Sequence, residues 1–262
     1  MTDAPVVSSG TGPLKVERSS DRGSVLSWVG MPVFLAVIFT ATYLWVQSQE
    51  LGGVEQRVLT RDQITSRTIQ HLELTAVSTL IVILIAIPLG ILLTRRAARP
   101  LVPIVLGIAN IGQGIPSLGL LAVVFVAFGQ LGFTPVVFGL VAYSTLPILR
   151  NTMVGLQQVD PSLIKASRGM GMSSLGILLR VELPLAIPVM IAGIRTALII
   201  NVGTATLATF FGAGGLGYIV YNGITLNRTT VLITGVVLVS GLALIVDYLA
   251  GAVGRLLAPR GL

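Results

Sequence analysis

The chain has no cysteine, one histidine and ten acidic residues among 262. The first absence excludes a disulfide framework, a thiolate metal site and a cysteine nucleophile. So little His and carboxylate leaves scant material for a catalytic site, and no metal-ligand cluster is legible. No Walker A pattern occurs, so the chain cannot be its own ATPase. Charge is scarce as well, with 10% Asp, Glu, Lys and Arg against roughly 25% in soluble domains.

What is abundant is apolar length. Hydrophobic residues make up 53% of the chain, and the mean hydropathy is +0.92. Several runs approach the roughly 20 residues that a bilayer crossing needs. The net charge of +7 raises nucleic acid as a partner. The basic residues, however, cluster beside apolar runs as the positive-inside rule requires, so the partner is a lipid bilayer and not nucleic acid.

Residues 1–24 read as a disordered tail. A first span is expected at Val25–Gln47, too long for a signal h-region, with Trp28 and Trp45 as interfacial anchors. A polar connection, Ser48 to His71, leads to a second span at Leu72–Thr94, closed by Arg95, Arg96 and Arg99. Residues 101–149 then carry no charge over 49 positions. As one helix they would reach about 74 Å against a core of roughly 30 Å, so they must fold back. The turn chemistry of Gly129–Pro135 places spans at Leu101–Phe128 and Pro135–Leu149, the former broken near Gly112, Gly114 and Pro116. Spans at Leu185–Phe211 and Thr229–Leu249 complete six. With the amino terminus inside, twelve Lys and Arg lie on inner segments and four outside. Both termini, and the segment 159–184, are thus expected in the cytoplasm.

That segment is a basic island with its own helix punctuation. Asp160 followed by Pro161 is a strong helix start. The helix is expected to run to Arg168 and stop at Gly169 in the C′ position. Gly171 and Ser173–Ser174 offer a turn and a second cap. A second helix, Ser174–Val181, is expected to close before Pro184, presenting Leu175, Leu178, Leu179 and Glu182 on one face. Two short capped helices across the ends of spans suggest a rigid docking knob rather than a loop laced with positive-inside charge.

The island resembles the cytoplasmic motif E-A-A-x-x-x-G-x9-I-x-L-P of permease subunits of bacterial ABC importers. Here it reads Lys165-Ala166-Ser167, Gly171, nine residues, then Val181-Glu182-Leu183-Pro184, with spacing kept in full. The runs D-P-S-L-I-K-A-S-R-G-M-G-M, R-V-E-L-P-L-A-I-P-V-M-I-A-G-I-R-T-A, N-V-G-T-A-T-L-A and G-A-G-G-L-G are similar to the subfamily importing glycine betaine, choline, carnitine and related osmoprotectants. The resemblance covers about residues 70–255. It implies an all-α polytopic fold with a type I importer core of about six transmembrane helices in the plasma membrane. It also implies that Asp160, Pro161, Lys165, Ala166, Ser167, Arg168, Gly169, Gly171, Glu182, Leu183 and Pro184 form the coupling contact with a separate ATPase. ATP and Mg would be bound by that partner, and this chain would carry no cofactor. An extracytoplasmic binding protein would deliver solute, and a second copy or a similar permease would complete the path. With 6% aromatic residues, a high-affinity cage for a quaternary ammonium is expected on the binding protein. Lys165 departs from the family, which usually has Glu there.

Other signals carry less. Gly212, Gly214 and Gly217 satisfy G-x-G-x-x-G, but a span precedes them and no acid follows at the required distance, which excludes a dinucleotide site. They stay open as a gate, a docking turn or a plain turn. Arg195 and Asp247 lie within spans, where ionisable groups face a bundle interior or a cavity, and a pair between them is one option. Pro116, Arg195 and Asn201 join the glycines as path or gate candidates, and His71 with Glu73 reads as an interfacial pair. The remaining alternatives are an importer for another small solute, such as an amino acid or sulfonate, and a secondary transporter or channel. The last would need more intramembrane ionisable groups, or broken helices in repeated halves.

Overall fold

Residues 22–257 are described in a computed structural model, and among them every regular element is a helix. The tail reading for residues 1–21 and the side chain of Trp28 lie outside what is described, while 22–24 already belong to the first helix. In chain order the α-helices are α1 (Arg22–Gln47), α2 (Gly53–Val58), α3 (Arg61–Thr94), α4 (Val102–Gly114), α5 (Ser117–Phe128) and α6 (Phe133–Gln157). There follow α7 (Pro161–Gly169), α8 (Ser174–Ile177), α9 (Leu183–Ala205), α10 (Gly217–Thr225) and α11 (Thr229–Leu257). Five helical stretches are long and apolar enough to cross a membrane, and a bent pair makes six if it acts as one broken span.

The polar connection expected at Ser48–His71 is mostly helical. Glu55 accepts from the Gly52 N–H at 2.6 Å and starts α2. Thr60 accepts from the Gln63 N–H at 3.3 Å and starts α3 eleven residues before Leu72. Side-chain caps stabilise helix where there is no apolar run to announce it. At 34 residues α3 is about 51 Å long, so its polar first turns stand outside a core of about 30 Å.

The charge-free stretch folds back where its glycines and proline indicate, but far more sharply than a kinked rod. The helical arms 96–114 and 117–128 meet at 104°. Ile115 is extended (φ −74°, ψ 134°), the conformation a following proline imposes. The single span expected over Leu101–Phe128 is therefore two arms, α4 and α5. Of 13 and 12 residues, they are about 20 and 18 Å long and individually too short to cross. The spans expected at Pro135–Leu149 and Thr229–Leu249 run on to Gln157 and Leu257.

The core is a cluster of three mutually packed helices, α3, α6 and α9. Val82, Ala86 and Leu93 of α3 meet Leu146, Ile148 and Leu149 of α6 and Ala197 of α9 in one buried cluster. In a bilayer, backbones approach through small residues, because lipid offers no hydrophobic driving force between helices. A Cβ on Gly193 would stand 2.8 Å from the Pro147 carbonyl and 2.6 Å from the Asn151 Cβ. One on Gly90 would stand 2.8 Å from Thr152 Cγ2. Gly193→Leu is accordingly expected to force α6 and α9 apart at a cost of about 1–3 kcal/mol. A lowered thermal midpoint of the purified chain in detergent would register it.

Candidate functional site

The knob is built around two caps and one left-handed glycine. The Asp160 carboxylate accepts from the Ser162 N–H at 2.7 Å and opens α7. That backbone bond holds the carboxyl below its ordinary range. Because the folded value is depressed, the cap is intact at neutral pH and weakens only as pH falls through the lowered value. Ser173 accepts from the Gly176 N–H at 3.1 Å and opens α8.

Between these helices the stop lies at Gly171, not Gly169. Gly171 has φ +81°, while Gly169 is the last helical residue. The Met172 N–H reaches the Ser167 carbonyl at 3.1 Å and the Gly171 N–H reaches Arg168 at 2.9 Å, a Schellman closure with Gly171 at C′.

The second helix does not close before Pro184. It passes through a wide turn, Leu178–Glu182, in which the Leu183 N–H bonds back five residues to Leu178, and it continues as α9. The wide turn makes room for the proline ring, which would collide with the carbonyl four residues earlier in a regular helix. The four residues expected on one face are split as a result. Leu175 and Leu179 are 64% and 55% exposed, whereas Leu178 packs toward Leu156, Ala186 and Met190.

Glu182 is buried and takes both guanidinium nitrogens of Arg95, at the end of α3, in a bidentate ion pair. Ser167 is buried too, bonded to the Leu163 carbonyl at 2.8 Å. These two coupling candidates hold the knob together and are not on its surface. Asp160, Pro161, Lys165, Ala166, Arg168, Gly169 and Gly171 are exposed, and Leu183 and Pro184 are half-buried. Leu163, Met170, Leu175 and Leu179 are exposed as well, so the surface of the knob offers apolar area together with the charges of Lys165 and Arg168.

At the opposite end of α9, a 3₁₀ turn (Thr206–Phe211) leads into the glycine turn, and α3 clasps it. Gln70 Oε1 accepts from the Gly215 N–H at 3.1 Å and from Arg67 at 3.0 Å. Arg67 lies 4.0 Å over the Tyr218 ring. His71 is fully buried; its Nδ1 accepts from the Leu216 N–H at 3.2 Å, which leaves Nε2–H to donate to the Val202 carbonyl at 2.9 Å. His71 is therefore no partner of Glu73, which is exposed; residues two apart on a helix do not face each other. Gly212, Gly214 and Gly215 have φ of +74°, +77° and +87°. A Cβ on Gly217 would overlap the Thr206 carbonyl. The turn is pinned at each of its glycines but Gly212, which stays exposed.

The remaining candidates separate. Arg195 makes a bidentate pair with Asp247, both bonds 2.8 Å, beside a cavity of about 240 Å³ lined by Pro188, Ile191 and Gly251. Asn201 is fully buried and donates to Thr79 at 2.9 Å, so in this conformation it joins α9 to α3 and meets no open path. Pro116 is exposed at the elbow. An exposed aromatic corner went unread in the sequence: Phe210 and Tyr221 stand at 82°, centroids 5.2 Å apart.

The core that carries these features matches the family described as "Binding-protein-dependent transport system inner membrane component" over residues 86–259. The chain belongs to this family. It is 39% identical over 200 residues to the choline transport system permease protein OpuBB of Bacillus subtilis, covering 76% of this chain and 91% of that protein. It is 41% identical over 224 residues to the osmoprotectant import permease protein OsmY of Salmonella typhimurium, covering 85% and 94%. A chain of the MetNI methionine ABC transporter, solved in inward-facing conformations, superposes with a TM-score of 0.67 at 28% identity, covering 75% of this chain and 96% of that one. The fold is thus an all-α, multi-pass, type I ABC importer permease of the inner membrane.

Two outcomes follow for the ion pairs. Arg95→Ala leaves a buried carboxylate without its partner, a loss of about 1.5–3 kcal/mol, and hydrogen exchange should rise across residues 174–184. A double-mutant cycle of Arg195→Gln and Asp247→Asn should return a coupling of about 0.5–3 kcal/mol in thermal unfolding.

Proposed function

We propose that this chain is the permease subunit of an ATP-driven importer for osmoprotectants of the glycine betaine, choline and carnitine type. The observation that carries the reading is identity of about 40% to permeases named for choline and for osmoprotectant import, each covered over nine-tenths of its length or more. The inward-facing methionine transporter, at 28% identity, shares the architecture with less of the sequence.

In this reading the knob is the coupling element and docks in a groove of a separate ATPase subunit, which binds ATP and Mg. The face of Leu175, Leu179, Met170 and Lys165 supplies apolar area and positive charge for that contact. Ser174–Phe211 is one helical stretch of 38 residues, about 57 Å long at helical rise. Displacement of the knob by ATP-driven closure therefore reaches the glycine turn without a loop in between. The Arg95–Glu182 pair makes the end of α3 move with it. An extracytoplasmic binding protein delivers solute at the glycine turn, and a second copy or a similar permease completes the path. Both termini lie in the cytoplasm, which places the basic island on the ATPase side.

The test is reconstitution in liposomes with the ATPase and binding protein of the same transporter. Uptake of labelled glycine betaine or choline should require ATP, the ATPase and the binding protein together. Uptake by the permease alone down an ion gradient would defeat the proposal. Lys165 stands where the family usually has Glu, so an acidic residue is expected opposite it in the groove. Lys165→Glu should then lower ATPase stimulation several-fold at low salt and less at high salt. Full stimulation by the variant would refute that contact.

A further inference from the structure

Between α1, the start of α3 and α11 lies a crevice of about 450 Å³, and none of the path or coupling candidates lines it. Its walls include Phe39 and Tyr43 of α1 and Val237 and Leu238 of α11, while Gln47 and Arg61 stand at its mouth. From Gln47 down to Phe39 is eight residues of helix, about 12 Å. One leaflet of a hydrocarbon core is about 15 Å deep. The floor is closed where the Phe39 ring occupies the space a side chain at Gly241 would need. The crevice is therefore polar at the end of the span, apolar below, and one leaflet deep.

The charge at the mouth is unspent. Arg61 is exposed and makes no ion pair among the described residues, although Asp62 is its neighbour. The Thr234 hydroxyl on the wall is already bonded, donating to the Thr230 carbonyl at 2.7 Å. An acyl chain fits the depth, and a phosphodiester fits the guanidinium. On α1 itself Leu35 is the one buried residue among the described side chains, so this helix has little other contact to hold it.

We propose that the crevice is a binding site for one glycerophospholipid, with an acyl chain laid along Phe39–Gln47 and its phosphate on Arg61. The lipid then completes the interface that attaches α1 to the permease core.

Native mass spectrometry of the purified, delipidated full chain tests this by titration with palmitoyl-oleoyl phosphatidylglycerol. Wild type should take up one tightly held lipid. Arg61→Gln should weaken that binding about fivefold, the ratio that about 1 kcal/mol per basic residue near a lipid surface gives. The same variant should bind dioleoylglycerol, which has no phosphate, as wild type does, and this separates headgroup recognition from a folding defect. Leu238→Trp, which fills the crevice, should weaken both lipids. Phospholipid binding unchanged in Arg61→Gln and Leu238→Trp would mean annular lipid only and would overturn the proposal. Competition by millimolar inorganic phosphate would assign Arg61 to a free anion and overturn it equally.

Discussion

The wide turn at Leu178–Glu182 is the joint on which the rest of the molecule depends. Pro184 removes a backbone donor and brings a ring against the carbonyl four residues back. A regular helix would bend or end there. The five-residue bond from Leu183 to Leu178 keeps the chain helical, and Glu182 within the turn is held by Arg95 of another helix. Local backbone geometry and a long-range ion pair thus carry one constraint between them. Without either, the knob would hang from the membrane on a loose connection. With both, it is the end of a span.

Features whose physics is local were legible in the sequence. Asp160 and Ser173 cap helices through side-chain bonds two and three residues long, and Pro116 breaks its span through its own neighbour. Misreadings arose where partners are distant. Pro184 reads as a stop because Arg95, which holds the neighbouring Glu182, lies 87 residues from that glutamate. His71 pairs in sequence with Glu73 but in space with Val202, at a separation of 131. Gly169 and Gly171 are equally permissive glycines, and only the register of the closing bonds decides which becomes left-handed. The polar turns of α2 and early α3 lack apolar runs because they are outside the lipid, so hydropathy had no means to announce them.

The three-helix core explains why one chain can be rigid in its middle and addressable at its ends. Glycines at 90 and 193 let backbone meet backbone, which leaves α6 little freedom to slide. Ion pairs and hydrogen bonds brace both ends of α3, Arg95 with Glu182 at one and Arg67, Gln70 and His71 near the other, while Asn201 and Thr79 join α9 to α3 between them. The pinned glycine turn and the braced knob are therefore two terminations of the same packed core.

The elbow at Ile115–Pro116 bears on solvation. Proline supplies no donor for the Gly112 carbonyl, and α5 begins without a side-chain cap, so its first N–H groups have no partner within the helix. Acyl chains cannot hydrogen-bond, and irregular backbone at membrane depth persists only against protein or water. Hydrocarbon cannot be what lies over Pro116. The sharp bend therefore marks where the surface of this chain stops being solvated by lipid and must be wetted, or covered by protein.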